Sequence, residues 1–273
     1  MATFMVGLDG SIMATAIPHI TSVFDSLDQA GWYGSSYLLA MAALQPMCGR
    51  VYVDFDVKRA LLCGIFVFEI GSALCAAATS SFMLIIGRSV AGGGASLLFN
   101  GAFTVIGTSI PLNKRAIYIA TLSSIFGLTS IIGPLLGGVI VDQLSWRWCF
   151  WINLPIGAVA SPALILSLQT PCQSASKLSW IRRIIRLDLP STLVLSGSLV
   201  SLCKALQNGG AVYSWSNVRV WGFFLGSGLL LGAFIILQTF VCKDGFFPRN
   251  ILTNRMVITS TVFSLLFSMA LNA

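Results

Sequence analysis

Charge is what this chain has least of. Asp, Glu, Lys and Arg make up 9% of its 273 residues, hydrophobic residues make up 56%, and the mean hydropathy is +0.88. Soluble domains carry about 25% charged residues, so a chain this poor in charge cannot cover a soluble surface, and it reads as a polytopic membrane protein. Histidine occurs once, at His19, and the seven cysteines are scattered without a CxxC pair or a histidine cluster. That speaks against metal and disulfide frameworks and leaves the cysteines as small buried apolar side chains. A GxxxxGK[ST] phosphate loop is missing, as is any Ser/His/Asp set that could meet, so ATP-driven transport and hydrolytic chemistry are unsupported. The expectation is a protein that is not an enzyme and takes no cofactor and no metal. Lys and Arg are absent before Arg50, which rules out the basic start of a secretory signal peptide; the first residues read as a span.

Long hydrophobic runs are what the chain has in their place. A helix of about 20 apolar residues matches the hydrocarbon thickness of a bilayer, and such spans are predicted near 3–20, 31–49, 60–78, 82–107, 117–141, 148–168, 189–206, 218–241 and 257–273. The first and last look incomplete. If the loops alternate sides, Arg50, Lys58, Arg59, Lys114, Arg115, Lys177, Arg182, Arg183, Arg186, Lys243, Arg249 and Arg255 share one side, while the first loop on the other side carries only Asp25 and Asp28. The positive-inside bias places the loop at 50–59 in the cytoplasm. The net charge of +7 then follows from topology and requires no nucleic-acid partner. Residues 169–188 interleave Trp180, Ile181, Ile184, Ile185 and Leu187 with Lys177, Arg182, Arg183 and Arg186. They suit a basic helix lying on the inner face, or a solvated linker.

The fifth run, Ile125–Val141, holds Gly127, Gly133, Pro134, Gly137 and Gly138. In lipid, Gly and Pro are tolerated mid-helix where neighbouring helices pack close. One reading is a glycine-lined packing seam, the other a conformational motif. Polar groups inside spans are fewer still. Arg88 lies early in the fourth run, and Asp9 and Glu69 are the acids inside spans. An intramembrane ionisable group is by default a candidate for an ion or substrate path. For Arg88 the alternatives are a partner for a proton-carrying carboxylate and an arginine that snorkels to the interface. For Asp9 and Glu69 they are a group that binds and releases a proton and a neutral carboxyl bonded to a neighbouring helix. His19 reads as solvated, Lys204 as reaching the outer interface, and Trp146, Trp148 and Trp151 as an interfacial anchor.

Six stretches carry a family resemblance over essentially the whole chain. They are Leu8-Asp9-Gly10-Ser11-Ile12 through Thr15-Ala16-Ile17-Pro18; Gly49-Arg50-Val51-Tyr52 with Phe55 and Lys58-Arg59; Gly87-Arg88 with Gly92 and Gly94; Gly127 through Gly133-Pro134 and Gly137-Gly138; Trp146 through Pro155; and Ala205-Leu206-Gln207 with Gly209, Gly210 and Trp215. In this order they resemble the fourteen-helix drug:proton antiporter branch of the major facilitator superfamily, common in fungi. The resemblance implies an all-α membrane bundle with about nine of fourteen helices present, hence a truncated chain. It further implies a first six-helix bundle at 1–168, a basic linker at 169–188, an inserted helix pair at 189–241, and at 242–273 a loop and the start of a second bundle. The implied function is proton-coupled export of a small hydrophobic or amphipathic compound such as a drug, toxin or fungal secondary metabolite. The implied setting is the plasma membrane, or a vacuolar or vesicle membrane, with protons, the substrate and the lipid bilayer as partners. Arg88, Asp9 and Glu69 are the candidates for the polar path, and the peripheral place of helix 3 in the resembled fold favours the neutral, helix-bonded alternative for Glu69. Gly49, Arg50, Lys58 and Arg59 join the fifth-helix glycines as conformational residues. One departure stands out: the acid usual in the 2–3 loop falls on Val53, with Asp54 and Asp56 nearby. The alternative reading is a membrane protein without transport of its own, or a half that needs a partner. An intramembrane enzyme would need an acid/base or metal constellation that the sequence does not show.

Overall fold

The computed structural model describes residues 1–167, 187–210, 213–241 and 255–272, and these are helical apart from short connections. The helices are α1 (Ala2–Phe24), α2 (Ala30–Asp54), α3 (Val57–Ala76), α4 (Ser81–Ser109), α5 (Leu112–Gln143), α6 (Trp148–Trp151), α7 (Asn153–Ser167), α8 (Leu189–Asn208), α9 (Val218–Ile236), which runs into a π turn at Leu237–Val241, and α10 (Arg255–Asn272). Each of the nine expected spans falls on a helix. The sixth begins as one turn and resumes at Asn153, because Pro155 has no N–H to give the carbonyl of Trp151 four residues back. The basic segment of 169–188, with Cys172, Lys177, Trp180 and its arginines, lies almost wholly outside the described residues, as do Cys242, Lys243 and Arg249.

Helix starts follow local chemistry. Asp56 caps α3 by accepting from the Lys58 amide at 3.0 Å, and Ser80 and Asn217 cap α4 and α9 in the same way, satisfying donors that the first turn leaves free. Helices Val57–Ala76, Ser81–Ser109, Leu112–Gln143, Leu189–Asn208, the Trp148–Ser167 stretch and Val218–Thr239 are long and apolar enough to cross a membrane. The remaining long helices, α1 and α2, carry more polar residues, and these point inward: Asp9, Tyr33, Ser36 and Tyr37 are buried.

Packing is closest where small residues meet. A Cβ on Gly71 would strike the backbone of Ala91, and one on Gly94 would strike the backbone of Phe68, so α3 and α4 touch nearly backbone to backbone. Close approach of this kind is how helices associate in lipid, where no hydrophobic force drives them together. A Cβ on Gly133 would meet the Ser11 side chain, and one on Gly137 the Thr15 hydroxyl, which seats α5 on α1. α8 docks on α2, where the Gln207 amide donates to the Ser35 hydroxyl at 3.0 Å, and α9 packs on α8 through Ser198 and Ser227. Beyond α8 the chain turns at Gly210, whose φ of +82° suits glycine, under the Trp215 ring.

Two apolar clusters fill the interior. One gathers Leu8, Ile12, Ala16, Leu84, Trp146 and Phe150, and the other Met5, Val6, Tyr37, Phe68, Ala91 and Leu98. Asp9 and Arg88 fall between them along α1 and α4.

Candidate functional site

The gap between the two clusters holds a polar centre. Asp9 and Arg88 lie 79 residues apart in the chain, yet Nη1 of Arg88 donates to Oδ2 of Asp9 at 2.5 Å, and both side chains are 1% exposed. Arg88 also donates through Nε to the Tyr33 carbonyl at 3.1 Å, and its guanidinium lies 4.3 Å from the Tyr37 ring centre. Phe150 borders it at 5.9 Å. These contacts overturn the snorkelling alternative for Arg88. The planar fork is held by an acid, a carbonyl and a ring face at once, a set that suits arginine and not lysine.

The second carboxylate oxygen of Asp9 is held from α7. Asn153, with 0% exposure, donates through Nδ2 to Oδ1 of Asp9 at 3.0 Å and to the Ser72 hydroxyl at 3.2 Å. The site therefore ties α1, α2, α3, α4 and α7 together through one charge pair. Its energetics are those of a buried pair: removing one partner costs about 3–5 kcal/mol, because the other charge is left uncompensated.

Glu69 is not brought to this pair. It faces Gly157 of α7, where a Cβ would run into its Oε1, and that oxygen is buried without a hydrogen-bond partner. Glu69 and Gly157 sit one turn from Ser72 and Asn153 respectively.

The conformational residues separate into groups. Gly133 and Gly137 line the α1–α5 seam, whereas Gly127 and Gly138 have nothing within 4 Å of where a Cβ would stand. The five-residue run is thus not one seam: Gly127 and Gly138 open away from α1. Pro134 is exposed beside Gly133. Gly49 is also open, and Arg50 is half-buried at the end of α2. Lys58 reaches the other end of the bundle's sixth span and donates from Nζ to the Ile165 carbonyl at 2.6 Å, where a cation meets the unpaired carbonyls of the last turn. Arg59 is exposed and lies 3.9 Å from Asp56. Val53 is 70% exposed, and Asp54, the last residue of α2, is buried.

Other expectations shift on inspection. Trp146 is buried against Phe24 and Phe150, so it belongs to the core and not to an interfacial belt; Trp148 and Trp151 remain exposed. Its neighbour Arg147 donates to the Ala78 carbonyl at 2.9 Å. His19 is exposed, and Lys204 stands over the Phe223 ring. Cys48, Cys75 and Cys149 are buried, Cys203 is half-buried, and Cys63 is exposed, which corrects the expectation for Cys63. Asn153 is uncharged and so does not stand out among the ionisable groups of the spans, although it lies inside the Trp146–Pro155 stretch that carries the resemblance.

Comparison with known proteins decides the family. The profile of the Major Facilitator Superfamily matches residues 1–272. The chain belongs to the major facilitator superfamily. Among its relatives, the MFS-type transporter phomT of Diaporthe leptostromiformis is 44% identical over 97% of this chain and 45% of its own length. The MFS-type efflux pump MFS1 of Trichophyton rubrum is 42% identical over 96% and 49%, and the efflux pump aflT of Aspergillus parasiticus is 39% identical over 96% and 51%. The chain spans about half the length of these relatives. As a superfamily member with apolar membrane-length helices it is an integral membrane protein.

Proposed function

We propose that this chain carries the proton-coupling part of a secondary transporter that exports a small hydrophobic or amphipathic compound. The observation that supports it is the buried Asp9–Arg88 pair. Protonating Asp9 removes the counter-charge of a fully buried guanidinium. The contact that holds α1 against α4 then weakens by an amount on the order of the 3–5 kcal/mol of a broken buried pair. Opening and closing of the bundle is thereby tied to proton occupancy. Residues 1–168 serve as one rocking bundle and 189–241 as an inserted pair docked on α2 at Ser35, with 242–273 leading into a second bundle; alternating access needs two such units around a midplane site. The loop at 50–59 lies in the cytoplasm of a cell whose plasma membrane, or vacuolar or vesicle membrane, holds the protein. The relatives named as efflux pumps favour a metabolite or drug as cargo.

The test is transport in yeast stripped of its own exporters, using a fluorescent hydrophobic dye with and without a protonophore. The chain alone is expected to leave dye efflux unchanged, and the chain together with the second-bundle half of the Trichophyton relative to produce protonophore-sensitive efflux. No efflux from the pair favours the rival reading of a membrane protein without transport. Extrusion by the purified chain alone in liposomes overturns the two-bundle reading.

A further inference from the structure

We propose that Asn153 is a positioning residue that lets Asp9 hold a proton inside the closed bundle, and that the proton is taken on Oδ1 of Asp9. This rests on the proton-coupled reading above. The two oxygens of Asp9 are not equivalent. Oδ2 faces Arg88, which carries donors only. A proton added there would point a second donor at the guanidinium. Oδ1 faces the Asn153 amide, which offers a donor on one side and an acceptor on the other.

Nδ2 of Asn153 donates to both Asp9 and Ser72, while its Oδ1 is buried with no partner. A half-turn of the amide exchanges the two atoms. Oδ1 then accepts from a protonated Asp9, and the Ser72 hydroxyl, which donates as readily as it accepts, turns to donate to the same oxygen. Nδ2 moves to the place where Oδ1 had no partner. Both hydrogen bonds survive with their direction reversed, so neither protonation state leaves an orphaned group on Asp9. In the chemical step a hydronium ion on the open side gives up a proton and becomes water, an O–H bond forms at Oδ1, and Asp9 goes from singly negative to neutral. Arg88 keeps its charge.

Among the described residues, the titratable groups that interact with Asp9 include Arg88 from α4, Tyr37 from α2, Cys75 from α3 and Cys149 from α6. α5 meets this part of α1 with Phe126, Thr129, Gly133 and Gly137, none of which titrates. Asn153 is thus the neutral group that can answer a change at Asp9 by rotating in place.

The experiment is an infrared pH titration of the chain in lipid bilayers, grown with isotope-labelled asparagine. The wild-type chain is expected to show a labelled amide band that changes together with the carboxyl band of Asp9, and both changes are lost in Asp9→Ala. Asn153→Leu loses the amide change and displaces the pH at which the Asp9 band titrates; an Asp9 band that titrates as in the wild type without the amide denies Asn153 the positioning role. Ser72→Ala removes the amide's second partner and shifts the same band, which assigns it even if Asn153→Leu does not fold. A titrating Asp9 band with an unresponsive asparagine amide overturns this inference and leaves proton coupling standing. No Asp9 carboxyl band at any pH overturns both.

Discussion

Replacing Arg88 by alanine leaves the Asp9 carboxylate buried, still bonded to Asn153 but without its counter-ion. Breaking a buried pair from one side costs about 3–5 kcal/mol. At about 1.4 kcal/mol per tenfold that is roughly two to four powers of ten in the folding equilibrium. Arg88→Lys keeps the charge but loses the fork that reaches the Tyr33 carbonyl while lying against Tyr37, so a partial loss is expected. Asp9→Asn, the mirror change, strands the guanidinium and belongs in the same range. The double variant Asp9→Asn/Arg88→Met behaves differently. With no charge left to strand, replacing a buried pair by neutral groups of similar volume is often neutral or stabilising, so stability returns to near wild type while gradient-driven transport by the complete transporter stays abolished. Reversible unfolding in mixed detergent micelles, followed by circular dichroism, gives the stabilities, and protonophore-sensitive dye efflux gives the coupling. An Arg88→Ala loss below about 1 kcal/mol, the range of solvated surface pairs, refutes the burial argument. Wild-type efflux in both Arg88→Ala and Asp9→Asn removes the pair from the mechanism.

The glycine run tests packing directly: Gly133→Ala and Gly137→Ala push a methyl into Ser11 and Thr15 and are expected to lose about 1–3 kcal/mol by overpacking, whereas Gly127→Ala and Gly138→Ala meet open space and lose nothing in the same unfolding measurement. Glu69→Gln is expected to reduce efflux less than Asp9→Asn does, since Glu69 faces Gly157 and, among the described residues, has no ion pair to break; equal loss in the two variants would move Glu69 into the coupling site. Cys172, in a chain whose other cysteines are alanine, should react with a membrane-impermeant thiol reagent only after the cytoplasmic face is opened, and labelling of intact cells reverses the assigned orientation.

Span positions were legible because the bilayer demands a length of apolar chain that a soluble core does not. The end of that legibility is seen at Trp146, Trp148 and Trp151. Three tryptophans in six residues read as one belt, but the one-turn helix Trp148–Trp151 sends Trp146 inward against Phe24 and the other two outward. Composition cannot tell which way a ring turns when the helix breaks after one turn. The glycine run failed to read as one unit for a related reason. Gly133 and Gly137 are four residues apart and stack on one face, and Gly127 and Gly138 share another, a separation set by helical rotation that a count of glycines ignores. The Asp9–Arg88 partnership was half legible: each residue is conspicuous by its charge in an apolar run, but their pairing depends on how α1 crosses α4.

Asn153 shows why the remainder of the site stayed hidden, and what the centre achieves as a unit. Ionisable groups announce themselves in a span because an unpaired charge in lipid is costly, whereas a single amide is tolerated and draws no notice. Yet the amide supplies what Arg88 cannot. Arginine has donors only, so it can meet an accepting oxygen of Asp9 but not the O–H of the neutral acid. Asparagine donates and accepts, and Ser72 beside it does the same through a rotating hydroxyl. A centre built from a fixed cation on α4 and a reversible amide on α7 leaves Asp9 satisfied in two states. The two states differ in how firmly α4 holds the acid: the ion pair draws α1 to α4, whereas the neutral acid keeps its bond to α7 and offers Arg88 only an uncharged carbonyl oxygen. Loss of charge attraction at one helix contact, with the other kept, is the kind of small, local change that rigid packed bundles turn into rocking.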